Sequence, residues 1–202
     1  MDKFLNYVDI EMASRMIERA VAFQLKHPFK GWKNIFIHGK PGLGKSQVVR
    51  EVAEKLGMDL IDLRLAGVDE TMVMGLPYVW EGTQYFSTPS WWPSGDKPTI
   101  LFLDEMKNAH PQTQVAAFRL ILDRTIQNGK KLPDNCVIVA AGNMQSDKTG
   151  ARELSVAMTT RFCMHLVIDP DTTNRTFLNY AVARGLSRHI VGYLEWRKEN
   201  TY

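Results

Sequence analysis

An eight-residue glycine-rich segment, Gly39 to Ser46, has the residue types and the spacing that phosphate binding requires. Its sequence, GKPGLGKS, fits the pattern GxxxxGK followed by Ser or Thr, with a predicted strand before it and a predicted helix after it. The glycines let successive backbone N–H groups face one anion, and the positive end of the helix strengthens that field. Lys45 is expected to reach the β- and γ-phosphates of a nucleotide, and the Ser46 hydroxyl to bind Mg²⁺. The alternative is a glycine-rich turn that binds nothing.

Two adjacent carboxylates, Asp104 and Glu105, end a segment with the pattern of a strand that is buried on both faces. The four residues before them, 100–103, are all apolar. Ligands of open α/β sheets bind at the carboxyl ends of the strands. Asp104 is therefore expected to hold Mg²⁺ through its water shell, and Glu105 to orient and deprotonate an attacking water. The pair is weak evidence alone, because acidic residues often end strands, and becomes strong together with the phosphate loop.

The motifs also indicate which nucleotide is bound. The Asp-Glu pair favours an ATPase that carries its own catalytic base over a GTPase or a small-molecule kinase. The guanine-reading motif Asn/Thr-Lys-x-Asp does not occur, and the glycine spacing differs from GxGxxG, so a dinucleotide fold is not supported. The residues expected to line the phosphates are Gly39, Pro41, Gly42, Leu43, Gly44, Lys45, Ser46 and Gln47.

Strands and helices alternate along the chain, which predicts a three-layer α/β sandwich around a mainly parallel, five-stranded sheet. The predicted strands are 34–38, 58–65, 99–103, 136–141 and 164–168. Apolar spacing predicts helices over 10–25, from the phosphate loop to Gly57, and over 110–126. Further helices from about 172 and from near Ser187 predict the start of a small helical lid. The expected division is a core at 1–169 and a partial or minimal lid at 170–202.

An aromatic insert at about 75–96 interrupts this alternation. Residues 78–80 and 84–86 look like the strands of a hairpin around Glu81-Gly82-Thr83. The aromatic side chains form either a substrate-gripping surface or a stacking platform for single-stranded nucleic acid, but such clusters more often pack against the body, and packing is favoured here. These aromatic residues are Tyr78, Trp80, Tyr85, Phe86, Trp91 and Trp92.

Composition excludes several classes of protein. The chain has 202 residues, of which 45% are hydrophobic and 23% charged, a composition typical of globular proteins. It has no secretory signal and no apolar run of membrane-spanning length. These features predict a cytoplasmic protein without a membrane partner. A net charge of +3 is too small to indicate nucleic acid binding. Cys136 and Cys163 form no zinc motif, and His38 and His165, on predicted strands, are expected to be core or supporting residues and not metal ligands.

The segments GKPGLGKS, LFLDE, VIVAAGN and MTTRF, in this order and spacing, resemble the AAA+ ATPases, in particular their MoxR-like and dynein-related branch. Phage and prophage members of that branch are the most similar, because the chain also carries GLP at 75–77, PSWWP at 89–93, LDEMKNAHPQTQVAAFRLILDR and AAGNMQSD. The resemblance covers roughly residues 30–200. It implies a P-loop NTPase core, ATP and Mg²⁺ as ligands, and assembly into a ring of identical subunits, a homo-hexamer.

The resemblance also implies roles for two polar residues. Asn143 matches the sensor that helps to position the lytic water, and Arg161 matches the arginine finger that reaches the γ-phosphate in the neighbouring subunit. The alternatives are a turn residue for Asn143 and a surface ion pair for Arg161. Other candidates for the finger are Arg152, Arg119 and Arg124, of which the last two are expected to be solvated or interface charges. The chain departs from the family pattern at two points. Ser155 stands where relatives often have a proline. The family also has a second sensor, an arginine, and none of Arg175, Arg184 and Arg188 can be assigned to that role.

Three functions remain open from the sequence. The leading hypothesis is a Mg²⁺-dependent ATPase that acts as a ring-shaped remodeller or chaperone-type motor on an unknown protein partner. The second is a DNA-associated AAA+ factor such as a helicase loader, although the basic residues are not clustered. The third is a nucleotide-gated switch in which turnover is incidental.

Overall fold

The central sheet contains six parallel strands in the part of the chain that the computed structural model describes, namely residues 5–27, 34–143, 154–168, 182, 185 and 187–196. The strands are β1 (Leu5–Val8), β2 (Asn34–His38), β3 (Asp59–Arg64), β4 (Pro77–Trp80), β5 (Thr83–Phe86), β6 (Thr99–Asp104), β7 (Cys136–Gly142) and β8 (Phe162–Ile168). The order in the central sheet is β1-β8-β2-β7-β6-β3, and β4 and β5 form a separate antiparallel pair. The helices are α1 (Ile10–Lys26), α2 (Lys45–Leu56), α3 (Glu70–Met74), α4 (Pro111–Asp123), α5 (Val156–Thr159) and α6 (Arg188–Trp196).

The fold class is confirmed, but the expected number of five strands is wrong. The additional strand is β1, which pairs with β8 from Leu5 opposite His165 to Val8 opposite Ile168. It is only four residues long and lies at the sheet edge, so its sequence LNYV lacks the continuous apolar run of the central strands. The other five strands lie where the sequence predicts them, within a few residues at their ends.

Helices cover both faces of the sheet because neighbouring residues of a strand point in opposite directions. Ile35 and Ile37 pack with α1 and α2, whereas Phe36 packs with α3 and α4 on the other face. All three side chains have no exposed surface, and burying a side chain of this size stabilises the fold by about 1.5–3 kcal/mol. Strands β6 and β7 are buried along their whole length. The carboxyl ends of β2, β6 and β7 therefore lie side by side between two helical layers.

The helix predicted over 110–126 ends earlier, at Asp123. Arg124 takes a left-handed conformation at φ 55°, and Thr125 instead pairs with Lys131. A helix that begins after Ser187 is confirmed by α6, whereas the helix expected from about 172 lies almost entirely outside the described residues. No helix among the residues described here is long and apolar enough to cross a membrane.

The insert forms the predicted hairpin, with Tyr78 opposite Tyr85. Its aromatic residues divide into two groups. Trp91 and Trp92 pack on the core, and Trp91 Nε1 donates to Met72 O at 2.8 Å. Tyr78, Trp80 and Tyr85 are 49%, 64% and 44% exposed, so the expectation of packing is right for the tryptophan pair and wrong for the hairpin.

A glycine joins the hairpin to the body. Gly75 has a φ of +99°, and a Cβ at this position would lie 2.0 Å from Ser87 O. The next residue, Leu76, exchanges hydrogen bonds with Ser87, through its N–H to Ser87 Oγ at 3.0 Å and through its carbonyl to Ser87 N at 2.9 Å. These contacts close the base of the insert and need a residue without a side chain at position 75.

Candidate functional site

The phosphate loop connects β2 to α2 in the conformation that its glycines predict. Gly42 and Gly44 both have a φ of +80°, a region that other residues rarely adopt. Helix α2 begins at Lys45, and the residue before it, Gly44, provides no side-chain cap. A helix start of this kind directs backbone N–H groups and a partial positive charge towards the loop. The loop thus has the geometry of an anion site.

Lys45 lies inside this loop. Its side chain is only 8% exposed, and Nζ donates to Gly39 O and Lys40 O, both at 2.8 Å, and to Asn143 Oδ1 at 3.2 Å. Lysine is seldom buried unless its charge has partners. The ammonium group is therefore held at the loop by carbonyl oxygens, which leaves a positive charge where phosphate oxygens would be bound.

The remaining residues of the loop region have different surroundings. Leu43 is buried and packs with the core on the α1–α2 side, whereas Pro41 is exposed. Gln47 lies on the first turn of α2, and its Nε2 donates to Glu51 Oε1 at 3.0 Å. A Cβ at Gly39 would lie 3.3 Å from Ile168 O, so the backbone of the loop passes close to β8.

A hydroxyl group and a carboxylate meet next to the loop. Ser46 Oγ donates to Asp104 Oδ2 at 2.7 Å, although the two residues are 58 positions apart. Asp104 ends β6 and is only 7% exposed. Carboxylate and hydroxyl oxygens are hard ligands of the kind that Mg²⁺ binds, directly or through water. The pair therefore fits a magnesium ion that is bound together with a nucleotide.

Glu105 has a strained backbone. Its φ of +55° and ψ of +31° lie in the left-handed region, which costs about 1–3 kcal/mol for a residue of this type. The conformation is stabilised because Glu105 N donates to Asp104 Oδ1 at 2.7 Å and Glu105 O accepts from Asn108 N at 2.9 Å. Because of this turn, Glu105 does not continue the alternating side-chain directions of β6, and the residue is half-buried.

Asn143 follows β7, the strand between β2 and β6, and therefore emerges between the phosphate loop and the two carboxylates. Its contact with Lys45 Nζ joins the two halves of the site. A Cβ at the preceding Gly142 would lie 3.0 Å from both Lys107 Cγ and Phe36 Cζ, so the strand end is tightly packed. The structure thus brings together Lys45, Ser46, Asp104 and Asn143, as the sequence predicts.

Arg161 lies at the other end of the sheet. It precedes Phe162, which pairs with Asn34 at the start of β2, whereas the phosphate loop follows the end of the same strand. Five strand residues span about 16 Å. Arg161 is exposed, so its side chain is available on the surface and is separated from the phosphate loop of its own chain.

The other arginine candidates for the finger differ in burial. Arg124 is 6% exposed, and its Nη2 donates to Pro133 O at 2.9 Å and to Cys136 O at 2.7 Å. It is thus a structural residue of its own chain, and the idea that it is a solvated or interface charge is wrong. Arg119 is exposed and donates to Gln127 Oε1. Arg152 lies outside the described residues, and so do Arg175 and Arg184.

Two histidines beside the loop form a hydrogen-bonded pair. His38 Nε2 lies 2.9 Å from His165 Nδ1, and His165 Nε2 lies 3.0 Å from Thr159 O. Burial lowers the pKa of His38 to about 3, helped by the charges of Lys107 and Lys45. Burial also lowers the pKa of His165 and outweighs its contacts with backbone carbonyls. Both rings are therefore neutral at neutral pH, which agrees with the supporting role that the sequence predicts.

Asp62 was not a candidate from the sequence. It lies on β3, next to β6, and burial followed by the charge of Asp104 raises its pKa. Arg50 on α2 lies 3.7 Å from its carboxylate. The part of the chain described here holds no group of three or more His, Cys, Asp or Glu side chains that could hold a metal ion.

Comparisons with known proteins agree with this geometry. Residues 34–162, well over half of the chain, match the family model described as AAA domain, dynein-related subfamily. The match begins at β2 and ends at the first residue of β8, so it contains the phosphate loop, Asp104, Glu105, Asn143 and Arg161. No curated protein sequence matches the chain significantly.

Solved structures show the same fold at low sequence identity. The K64R mutant of RuvB from Thermotoga maritima superposes with a TM-score of 0.59 at 15% identity, covering 86% of this chain and 51% of that one. A protein from Cytophaga hutchinsonii described as a putative ATPase gives 0.56 at 17% identity, covering 85% and 51%. The chain therefore spans about half the length of these structures.

Proposed function

Because the chain belongs to the dynein-related subfamily of AAA domains, we propose that it binds ATP with Mg²⁺ and hydrolyses it within a ring of identical subunits that remodels a protein partner. The observation that supports this most directly is the convergence of four polar side chains at one end of the sheet. Lys45 Nζ lies 3.2 Å from Asn143 Oδ1, and Ser46 Oγ lies 2.7 Å from Asp104 Oδ2.

The residues of the site divide the chemistry among them. Lys45 and the start of α2 would bind the β- and γ-phosphates, and Ser46 and Asp104 would hold Mg²⁺, which would neutralise charge on the phosphate oxygens. Glu105 accepts the proton of a water whose oxygen attacks the γ-phosphorus while the bond to the β-phosphate oxygen breaks. Asn143 orients that water. The products are ADP and inorganic phosphate.

The ring is supported by the position of Arg161. Arg161 is exposed, and its backbone lies about 16 Å from the phosphate loop of its own chain, because a five-residue strand separates them. An arginine that serves a second subunit must face outwards in this way. It would stabilise the charge that develops on the transferred phosphoryl group. The assembly that we propose is a homo-hexamer.

The hairpin is proposed as the surface that contacts the protein partner. Tyr78, Val79, Trp80 and Tyr85 are exposed at its surface. The insert, residues 75–96, contains two acidic residues and no lysine or arginine. This charge would repel the phosphates of a nucleic acid, which DNA-binding surfaces attract with basic residues. A protein partner is therefore favoured over DNA, and the DNA-associated factor is the second candidate.

We further propose that the chain belongs to the MoxR-like branch, close to its phage members, and acts in the cytoplasm. Motifs such as GLP and PSWWP support the branch.

The test of the general proposal is the ATPase rate per subunit, measured against protein concentration with and without single- and double-stranded DNA. A rate per subunit that rises with concentration supports the ring. Stimulation by DNA would favour the second candidate, and tight ATP binding without turnover would favour a nucleotide-gated switch.

A further inference from the structure

The histidine pair connects the phosphate loop to the turn that carries Arg161. His38 is the last residue of β2, directly before Gly39, whose carbonyl accepts from Lys45 Nζ. Its Nε2 lies 2.9 Å from His165 Nδ1 on β8, and the other nitrogen of His165 lies 3.0 Å from Thr159 O. Thr159 ends α5, two residues before Arg161. A continuous chain of hydrogen bonds therefore crosses the sheet.

The direction of these hydrogen bonds follows from the chemistry of the groups. A carbonyl oxygen can only accept, so His165 Nε2 carries the hydrogen that is donated to Thr159 O. Since His165 is neutral, its Nδ1 is the acceptor, and His38 Nε2 must be the donor. One tautomer of each ring satisfies both contacts. Phe36 and Phe162 contact the rings and hold them in place, with ring centroids 4.5 Å apart for Phe36 and His38.

The turn before Arg161 is short and needs such support. Helix α5 has a single turn, and the residues after it bond back to its carbonyls, with Arg161 N donating to Met158 O at 3.1 Å. Thr159 O has His165 as its partner, and Arg161 O accepts from Asn34 Nδ2 at 3.4 Å. Asn34 begins β2 and His38 ends it. The Arg161 turn is thus attached to both ends of the strand that leads into the phosphate loop.

We propose that His38 and His165 are positioning residues that couple the phosphate loop of one subunit to the Arg161 that the same subunit offers to its neighbour. When Lys45 turns from the carbonyls of Gly39 and Lys40 to a phosphate, those two peptides, next to His38, lose a charged partner. The relay passes the resulting shift to Thr159 and so to Arg161. This coupling rests on the proposed function, because it requires Arg161 to act in a ring.

The test mixes subunits that carry different substitutions, one of them His165→Phe. Phenylalanine keeps an aromatic ring beside Phe36 and Phe162 and removes both hydrogen bonds of His165. ATP affinity should stay within about twofold of wild type, because the phosphate loop is untouched, while turnover should fall at least about tenfold, as expected for a misplaced catalytic group. Mixing with Lys45→Ala should restore activity, because that partner supplies an intact Arg161. Mixing with Arg161→Ala should not, because both partners then lack a working finger.

Two further variants separate the relay from a general loss of structure. His38→Gln keeps an amide donor near the position of Nε2 and should retain most of the turnover, whereas His38→Phe should lose it. The double variant His165→Phe/Arg161→Ala should be no slower than Arg161→Ala alone, since residues that act through one another are not additive. An additive double variant, or equal turnover of His38→Phe and His38→Gln, would overturn the relay.

The mixing experiment also distinguishes failure of the relay from failure of the ring. Mixed assemblies are identified by co-purification of two differently tagged variants. If Lys45→Ala and Arg161→Ala restore activity together but Lys45→Ala and His165→Phe do not, the relay is wrong and the ring stands. If neither mixture recovers although mixed assemblies form, the proposed function fails and the relay with it. A His165→Phe chain that does not fold leaves the His38 pair as the deciding comparison.

Discussion

Lys45 Nζ lies 3.2 Å from Asn143 Oδ1, although the two residues are 98 positions apart in the chain. The contact exists because β7 lies next to β2, so that the residue after β7 emerges beside the loop after β2. It places a cation, an amide and, one strand further, the two carboxylates along one edge of the sheet. A glycine-rich turn that binds nothing would not require these side chains to lie together.

Lys45→Met tests the phosphate site. The methionine fills a similar volume but cannot contact the β- and γ-phosphates, so ATP affinity should fall at least about 100-fold, as expected when a charged, desolvated contact is lost. Isothermal calorimetry measures the affinity, and circular dichroism checks the fold. Lys40→Ala is the matched control, because Lys40 is an exposed lysine of the same loop. Near-normal ATP binding by folded Lys45→Met would refute the assignment.

Glu105→Gln tests the catalytic base. Glutamine keeps the size and hydrogen-bonding capacity of the side chain but cannot accept the proton, so turnover should fall about 10²–10⁴-fold while ATP still binds. Asp104→Asn should instead weaken Mg²⁺-dependent binding, because Asp104 is the partner of Ser46. Phosphate release and calorimetry separate the two effects. The control is Glu54→Gln, at an exposed position of α2. Wild-type turnover in Glu105→Gln would show that another residue is the base.

The conformation of the glycine-rich loop was predictable because its pattern is local. Gly42 and Gly44 have a positive φ for reasons that act within a few residues, and Lys45 follows at a fixed offset. The buried strands were equally clear, since β6 is an uninterrupted apolar run that ends at Asp104. The resemblance to a family added Asn143 and Arg161, whose roles no local pattern specifies.

Features that depend on distant partners were not predictable. The His38–His165 contact joins residues 127 positions apart and follows from the pairing of β2 with β8, which the sequence does not specify. The edge strand β1 has too few residues to form a pattern. From its position in the sequence, Arg124 is typical of a solvated helix residue. In the fold, the chain returns at Pro133 and Cys136, and their carbonyl oxygens accept hydrogen bonds from its guanidinium group.

Arg124→Met should destabilise the fold and leave no specific defect in subunit mixing. The guanidinium group is buried and donates to two carbonyl oxygens that would lose their partner. Charged hydrogen bonds of this kind are worth about 1.5–3 kcal/mol each, so the free energy of unfolding should fall by about 3 kcal/mol. Urea denaturation measures it. Arg119→Ala, at an exposed position of α4, the helix that Arg124 follows, should change it by less than about 0.5 kcal/mol. Equal effects of the two variants would contradict a structural role of Arg124.

The pH dependence of stability should depend on His38. Its pKa is lowered from 6.5 to about 3, so the folded state is favoured above pH 6.5 and loses this contribution as the pH falls towards 3. His38→Gln does not titrate. Between pH 7.5 and pH 5 the wild-type protein should therefore lose about 2 kcal/mol more stability than the variant, at 1.36 kcal/mol per pH unit below 6.5. Urea titrations at both pH values give the difference, and parallel losses would show that His38 titrates normally in the fold.

Arg161→Ala tests whether the exposed arginine acts on a neighbouring subunit. The variant should bind ATP almost normally, because Arg161 lies at the far end of the sheet from its own phosphate loop. Its turnover should fall by about 10³-fold or more, since the missing charge is needed mainly in the transition state. Phosphate release measures turnover, and Arg119→Ala is the control for the loss of an exposed arginine.

Mixing Arg161→Ala with Lys45→Ala, two inactive proteins, should restore part of the activity. Some interfaces then combine an intact phosphate loop from one subunit with an intact Arg161 from the other. Recovery should rise to a maximum near equal amounts and disappear on dilution, because each active site needs two chains. No recovery in demonstrably mixed assemblies would contradict action between subunits. Full activity of Arg161→Ala alone would exclude the residue as the finger, and Arg152 would be the next arginine to replace.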